Sequence, residues 1–372
     1  MVSIPRSTDV FVVGGGPAGL AAAIAARLKG FDVTVADAAQ PPIEKACGEG
    51  LMPEALAALE RLGISIGPDV SAPFRGIRFV DGDVSVAANF PARRGAGIRR
   101  IRLHQRMLDR AGEVGVRMLW GHRVTGISEG AASIFGQEIR CRWVVGADGQ
   151  NSRVRCWAGL EGAWYESRRF GFRRHYRRSP WSESTEIHWG DKCQIYVTPV
   201  ARDEVCIALI TRDSGLRLDN VLPLFPELAR KLNGVAHASA ERGAVTVFRR
   251  LHRIFRGSTV LMGDASGSVD AITGDGLCLS FQQATALADA LVTANPRSYE
   301  STHRGLFWRP AFMARLMLSL DRSSWLRHRA IRALAANPEI FANLLAMHVG
   351  ECSFADFVSG AMLPLGWRIL TA

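Results

Sequence analysis

Among the seven cysteines, Cys47, Cys141, Cys156, Cys193, Cys206, Cys278 and Cys352, no CxxC pair occurs. That scatter excludes a disulfide framework and a cysteine-built zinc site, so no metal is expected and a reducing cytosol is the expected compartment. Lysine is scarce: Lys29, Lys45, Lys192 and Lys231 are the only ones in 372 residues. No apolar stretch approaches the ~18 residues that cross a bilayer. The first apolar run, Val10–Val13, is short and leads into glycines, so no secretory leader is expected. There is no internal repeat and no low-complexity linker.

What is present is a large, apolar, basic chain. Hydrophobic residues make up 48% and the formal net charge is +11. The length implies two domains, or one large domain with an insert, and the composition rules out a disordered or fibrous chain. A charge this positive raises the possibility of a nucleic-acid or anionic-membrane partner. The arginines are dispersed and no recognition module accompanies them, so no nucleic-acid partner is expected.

Hydrophobic patterning places a strand at 9–13, a helix at 17–29 and a strand at 31–37, a βαβ unit on a parallel sheet. A helix follows at 54–62. Residues 74–90 alternate as a half-exposed hairpin does, and 103–116 form an amphipathic helix. Several alternating segments over 168–211 predict a second, antiparallel sheet. A strand at 259–265 precedes a helix over 276–292, and the remainder reads as helical. The expected fold is therefore α/β with an α+β insert: a Rossmann-like dinucleotide-binding domain, an inserted antiparallel-sheet substrate domain and a helical C-terminus. The expected division assigns 1–73, 96–163 and 256–297 to the binding domain. It assigns 74–95 and 164–255 to the substrate domain, and 298–372 to the helical region.

Three motifs carry chemistry. In Gly14-Gly15-Gly16-Pro17-Ala18-Gly19 the first glycine permits a tight turn, the second a close approach to a pyrophosphate, and the third packing of helix on strand. The helix N-terminus beyond offers N–H groups and partial positive charge to phosphates. Asp37, about 20 residues on, suits ribose hydroxyls. The second motif, Val145-Gly146-Ala147-Asp148-Gly149, sets an Asp-Gly at a strand end. The third, Met262-Gly263-Asp264, is followed by Thr273-Gly274-Asp275-Gly276 at a helix start, where a ribityl chain and an anionic ring edge can be held.

In this order and spacing, over about residues 8–300, the motifs resemble the FAD-dependent monooxygenase superfamily, which holds aromatic hydroxylases and geranylgeranyl reductases. The resemblance implies FAD as cofactor and NAD(P)H as electron donor. It implies FAD contacts at Gly14, Gly16, Pro17, Ala18, Gly19, Asp37, Lys45, Arg102, Asp148, Gly149, Asp264, Gly274 and Gly276. Two chemistries follow. The first is an O2-using hydroxylation of a hydrophobic phenolic or polyketide-type molecule, as expected in secondary metabolism. The alternative is saturation of isoprenoid double bonds. The segment Lys45-Ala46-Cys47-Gly48-Glu49-Gly50-Leu51 resembles the reductase branch, as does the spacing of Asp264 to Gly274 and Gly276. The short chain and the lack of the reductases' aromatic substrate motif favour the hydroxylase, which is ranked first. A third class, a lipid-carrying protein on the same fold, is opposed by the intact Gly16, Asp148 and Asp264.

Cys47 is the candidate catalytic thiol, flanked by glycine and Lys45; the plain alternative is a small residue in a cofactor loop. Cys278 reads as core. His104 reads as a cap or surface residue. His175, Trp189 and Tyr196 are candidate substrate-pocket residues on the inserted sheet, where His188 also lies. The cluster Arg168, Arg169, Arg173, Arg174, Arg177 and Arg178 reads as a solvated face. Apolar and basic residues at helical spacing after 298, among them Trp308 and Trp325, allow peripheral contact with the inner face of a membrane.

Overall fold

A computed structural model describes residues 4–353, apart from the side chains of residues 163–167. The helical expectation for 354–372 lies outside the described residues. The helices are α1 (Pro17–Leu28), α2 (Pro53–Arg61), α3 (Arg100–Glu113), α4 (Arg153–Trp157), α5 (Leu218–Val221), α6 (Pro226–Leu232), α7 (Gly276–Val292), α8 (Pro296–Arg322), α9 (Ser324–Ala336) and α10 (Pro338–His348).

The first layer is a sheet whose parallel strands run in the order Thr259–Leu261, Gln137–Gly146, Ser7–Val13, Val33–Asp37 and Arg117–Trp120. Buried on both faces, its strands are continuous apolar runs such as Val10–Val13 and Val144–Val145. The alanine-rich face of α1 packs against α7 and α3; small side chains let the helices sit close. The central strands Ser7–Val13 and Gln137–Gly146 are neighbours, and the loops beyond their carboxyl ends are the Gly14–Gly16 turn and the Asp148-Gly149 motif. Such a crevice is where open parallel sheets bind ligands.

The second layer is an eight-stranded sheet. Its order is Gly267–Ser268, Arg242–Leu251, Ala163–Tyr176, Glu204–Thr211, Cys193–Ala201, Ser184–Gly190, Gly76–Asp81 and Val84–Asn89. The hairpin over 74–90 thus extends the inserted sheet, through a parallel pairing of Gly76–Asp81 with Ser184–Gly190. Strand alternation splits this sheet in two. Phe172, Ile195, Val197, Ile207 and Leu209 pack under α5 and α6. Ile187, Tyr196, Ala208 and Ile210 share the other face with α8, α9 and α10. Sequence patterning did not place α5, α6 or the Arg242–Leu251 strand: the two helices are short and follow a turn-rich stretch, and the strand carries three arginines, Arg242, Arg249 and Arg250.

The arginine cluster is not a solvated face throughout, as the sequence suggested. Arg169, Arg173 and Arg174 are buried. Arg169 pairs with Asp270 at 3.3 Å, with Asp321 of α8 and with Gln194 at 3.0 Å. That one guanidinium joins the inserted sheet, the loop after the Gly263-Asp264 motif and the C-terminal helices. Arg174, on the opposite face, takes Asp219 in a bidentate pair at 2.5 and 2.9 Å. Burial of charge at this density demands such pairing. Arg168 is exposed.

Candidate active site

A single cavity of about 950 Å³ runs from the Gly14–Ala18 turn to the inner face of the inserted sheet. It passes the Lys45–Gly50 loop, the Asp148-Gly149 motif and the start of α7.

At the first end, Gly14 holds φ +109°, and a Cβ there would stand 2.5 Å from the carbonyl oxygen of Ala147. A Cβ on Gly19 would stand 1.8 Å from the Gly14 carbonyl oxygen, so this glycine permits the packing of α1. Gly16 differs: a Cβ there meets no protein atom within 4 Å, because it opens on the cavity. Gly274 and Gly276 open in the same way. Asp37 lines the cavity; its Oδ2 accepts from the Gly15 N–H at 2.7 Å and its Oδ1 from the Ala39 N–H at 2.7 Å. A carboxylate accepts about four hydrogen bonds, so capacity remains for hydroxyls.

Asp148 also lines the cavity, but its carboxylate is spent mainly on the fold. It accepts from the Ser152 hydroxyl and from the Arg153 and Val154 N–H groups at 2.7 and 3.1 Å, so it holds the start of α4. Ser152 caps the same helix through the Arg155 N–H. Arg155 reaches Gln150 and Ala265 carbonyls at 2.9 and 3.1 Å and so fastens the second motif to the third. Asp264 lines the cavity and pairs with Lys45 at 3.4 Å. Pro17, Ala18 and Gly149 also lie on the wall.

Arg102 does not reach this wall. It is exposed on α3 and is not among the lining residues, because α3 begins at Arg100 and turns Arg102 outward. Arg100 lines the cavity, with its buried Nε unpartnered. His104 is fully buried rather than a cap or surface residue. Its Nε2 donates to the Gly15 carbonyl at 2.9 Å, bracing the glycine turn from behind, and burial holds its pKa down. Its position one turn into an amphipathic helix was the available signal.

At the sheet end, Tyr196 lines the cavity, while His175 and Trp189 do not. Tyr196 donates its hydroxyl to the Ile272 carbonyl at 2.6 Å. Trp189 packs edge-on against Phe79 within the core shared with the C-terminal helices. His175 lies behind the wall: its Nε2 donates to Glu49 Oε2 at 2.6 Å. The Ser239 hydroxyl at 2.8 Å and guanidinium groups of Arg99 and Arg173 at 3.1 and 3.3 Å converge on its Nδ1, so Nδ1 is the acceptor. His188 faces the α6 side and pairs with Glu186 at 2.9 Å.

Glu49 is the residue that sequence reasoning passed over. It is 2% exposed, holds φ +62°, and also accepts from the Arg100 N–H at 3.0 Å. This left-handed conformation is uncommon outside glycine; here buried partners on three elements impose it. Its carboxylate, His175 and the Cys206 thiol have ligand atoms within 4.8 Å of one another. Arg99 and Arg173 put positive charge on that cluster, so it serves as an ion-pair network that anchors the Cys47 loop to the sheet. Cys47 itself lines the cavity, half-buried, its Sγ accepting from the Glu49 N–H at 3.4 Å. Cys278 is buried in the core.

Three open glycines, a free helix N-terminus and carboxylates at both turns fit a dinucleotide that carries a second ring system. The comparisons agree. Residues 7–185 match the FAD binding domain family. The chain is 29% identical over 320 residues to menaquinone reductase of Mycobacterium tuberculosis, covering 78% of each chain. It is 28% identical over 165 residues to 12-dehydrotetracycline 5-monooxygenase/anhydrotetracycline 6-monooxygenase of Streptomyces rimosus, 41% of this chain and 33% of that one. Its fold superposes on a geranylgeranyl bacteriochlorophyll reductase-like protein of Thermoplasma acidophilum with a TM-score of 0.73, at 18% identity over 98% of this chain and 99% of that one. The chain carries an FAD binding domain over residues 7–185 and is an FAD-dependent oxidoreductase, similar to flavin reductases and monooxygenases.

Proposed function

We propose that the protein is an NAD(P)H-dependent flavoprotein reductase that saturates a double bond in a hydrophobic isoprenoid molecule, such as the side chain of a prenylated quinone. The observation that carries this reading is the place of Cys47, on the cavity wall between the dinucleotide turn and the apolar sheet floor. This reverses the order in which the sequence ranks the two chemistries. Similarity to menaquinone reductase over 78% of each chain points the same way.

Bound FAD supplies the hydride. Gly14, Gly16, Pro17, Ala18, Asp37, Lys45, Arg100, Asp264, Gly274 and Gly276, all on the cavity wall, would bind and orient it. Ile187, Tyr196, Ala208 and Ile210 give the far end an apolar floor that excludes water and takes a greasy chain. The Cys47 thiol gives a proton to the carbon left without the hydride and regains one from solvent. Among the described residues no helix is long and apolar enough to cross a membrane. Exposed Trp308 and Trp325, beside Arg315 and Arg322, give α8 and α9 a surface that suits the inner face of an anionic membrane, where such a substrate resides.

Hydroxylation is the second reading, and the monooxygenase relative supports it. Oxygen dependence separates the two. Under the reductase reading, NADPH oxidation coupled to a prenylated quinone persists without O2, and Cys47→Ala lowers turnover without changing FAD content. Turnover that stops when O2 is removed would overturn it, and an unchanged Cys47→Ala rate would return Cys47 to a packing role.

A further inference from the structure

Directly behind the cavity wall at the start of α7 lies a second group of titratable side chains that binding FAD does not employ. Asp275 is the residue at the N-terminal cap of α7, between the open glycines Gly274 and Gly276, yet its side chain turns inward and is 3% exposed. Its Oδ1 faces His348 Nε2, from the end of α10, at 3.4 Å. Glu54, from the first turn of α2, completes the group. Each of the three has a buried polar atom without a partner: Glu54 Oε2, Asp275 Oδ2 and His348 Nδ1. None of the three lines the cavity, although Met52, Thr273, Gly274 and Gly276 beside them do.

Unpaired buried polar atoms in one place are costly, so packing alone does not account for them. Burial pushes the Glu54 carboxyl up to about 7, against the opposing pull of His348, with the neighbouring Asp275 adding to the rise. Burial raises Asp275 as well, again against His348. The other groups facing the cluster are Arg309 from α8, the Thr273 hydroxyl, Cys278 one turn into α7 and Arg61 from α2. Of these only the arginines are charged near neutrality, and among the described residues neither makes a hydrogen bond or ion pair with the carboxyls. Two carboxyls in one dry space, both raised by burial, share protons rather than ionising independently.

We propose that Glu54, Asp275 and His348 form a proton-sharing relay behind the start of α7 that takes up a proton when negative charge develops in the cavity at Gly274–Gly276. The three are positioning residues for the redox step and make no bond to FAD. The electrons come from the reductant, the proton comes from solvent, and the cluster stores it as a neutral carboxylic acid. The inference rests on FAD binding alone and holds for either substrate chemistry.

The test counts protons in the FAD-loaded full chain. Anaerobic photoreduction in weak buffer with a pH indicator dye gives protons taken up per flavin at pH 6, 7 and 8. Glu54, held near 7, is about half protonated at pH 7, so Glu54→Gln should lower uptake by up to about half a proton at pH 7 and by much less at pH 6, where that carboxyl is already mostly protonated; His348→Gln, which removes the partner of Asp275, should lower the count as well. FAD content should not change. Equal counts in the FAD-loaded variants and the wild type would overturn the relay while leaving the flavoprotein reading intact. A colourless chain with no affinity for FAD would overturn both. If the variants do not fold, infrared difference spectra of the wild type decide: a protonated-carboxyl band should grow on reduction at pH 7, and its absence overturns the proposal.

Discussion

Replacing Gly16 by valine separates cofactor binding from folding. At Gly14 and Gly19 a side chain would strike backbone at 2.5 and 1.8 Å, so those glycines are demanded by the fold. At Gly16 a Cβ meets no protein atom within 4 Å. Valine there fills only the space that opens on the cavity, and the folded chain should tolerate it. A pyrophosphate approaching the N–H groups at the head of α1 would be pushed out of reach. Hydrogen bonds to charged groups contribute about 1.5–3 kcal/mol each. Losing two costs about 3–6 kcal/mol, or roughly 10²–10⁴-fold in FAD affinity. The assay is FAD fluorescence quenching on the apoprotein, with thermal unfolding of apoprotein alongside. The expected result is lost yellow colour with an apoprotein midpoint within a few degrees of wild type; Gly14→Ala, strained at φ +109°, should lower the midpoint instead. A Gly16→Val protein that keeps its FAD would refute the placement of the pyrophosphate.

Three further predictions concern groups behind the wall. Glu49→Ala strips His175, Arg173 and the Arg100 N–H of their shared acceptor; breaking a buried pair costs about 3–5 kcal/mol, to be read from urea unfolding of the FAD-loaded protein, and a loss below about 1 kcal/mol would mean that the network is not holding the loop. His104→Ala leaves the Gly15 carbonyl without its donor and should weaken FAD binding several-fold, whereas unchanged affinity would show that the turn needs no brace. Burial drives His303, whose Nε2 meets Ser266 Oγ at 2.8 Å, down to about 3. The unfolded ring takes a proton first, so its contribution is complete above about pH 6.5 and declines by up to about 1.4 kcal/mol per pH unit as pH falls toward 3. His303→Gln should flatten that slope in a pH series of unfolding measurements, and parallel slopes would contradict it.

Much of the fold was legible because its signals are local. The Val10–Val13 run, the glycine turn and Asp37 announce a βαβ unit, and the 276–292 helix has the bounds its periodicity predicts. What was hidden depends on distant partners. Arg169 and Arg173 read as solvent-facing charge until Asp270, Asp321, Glu44 and Glu49 come to meet them. His175 alternates toward the inner face as expected, but Glu49, 126 residues away, holds it behind the wall. Arg102 came from the resemblance alone; α3 begins at Arg100, three residues before the expected start, and Arg100 is the arginine on the cavity wall. Asp148 reads as a cofactor contact by motif, and the chain also uses it to cap α4.

The most direct test of the proposed reaction is the mass of the product formed from a prenylated quinone with NADPH under air. A reductase returns a product heavier by two hydrogens. A product heavier by one oxygen atom, labelled from isotopic O2, would contradict the account.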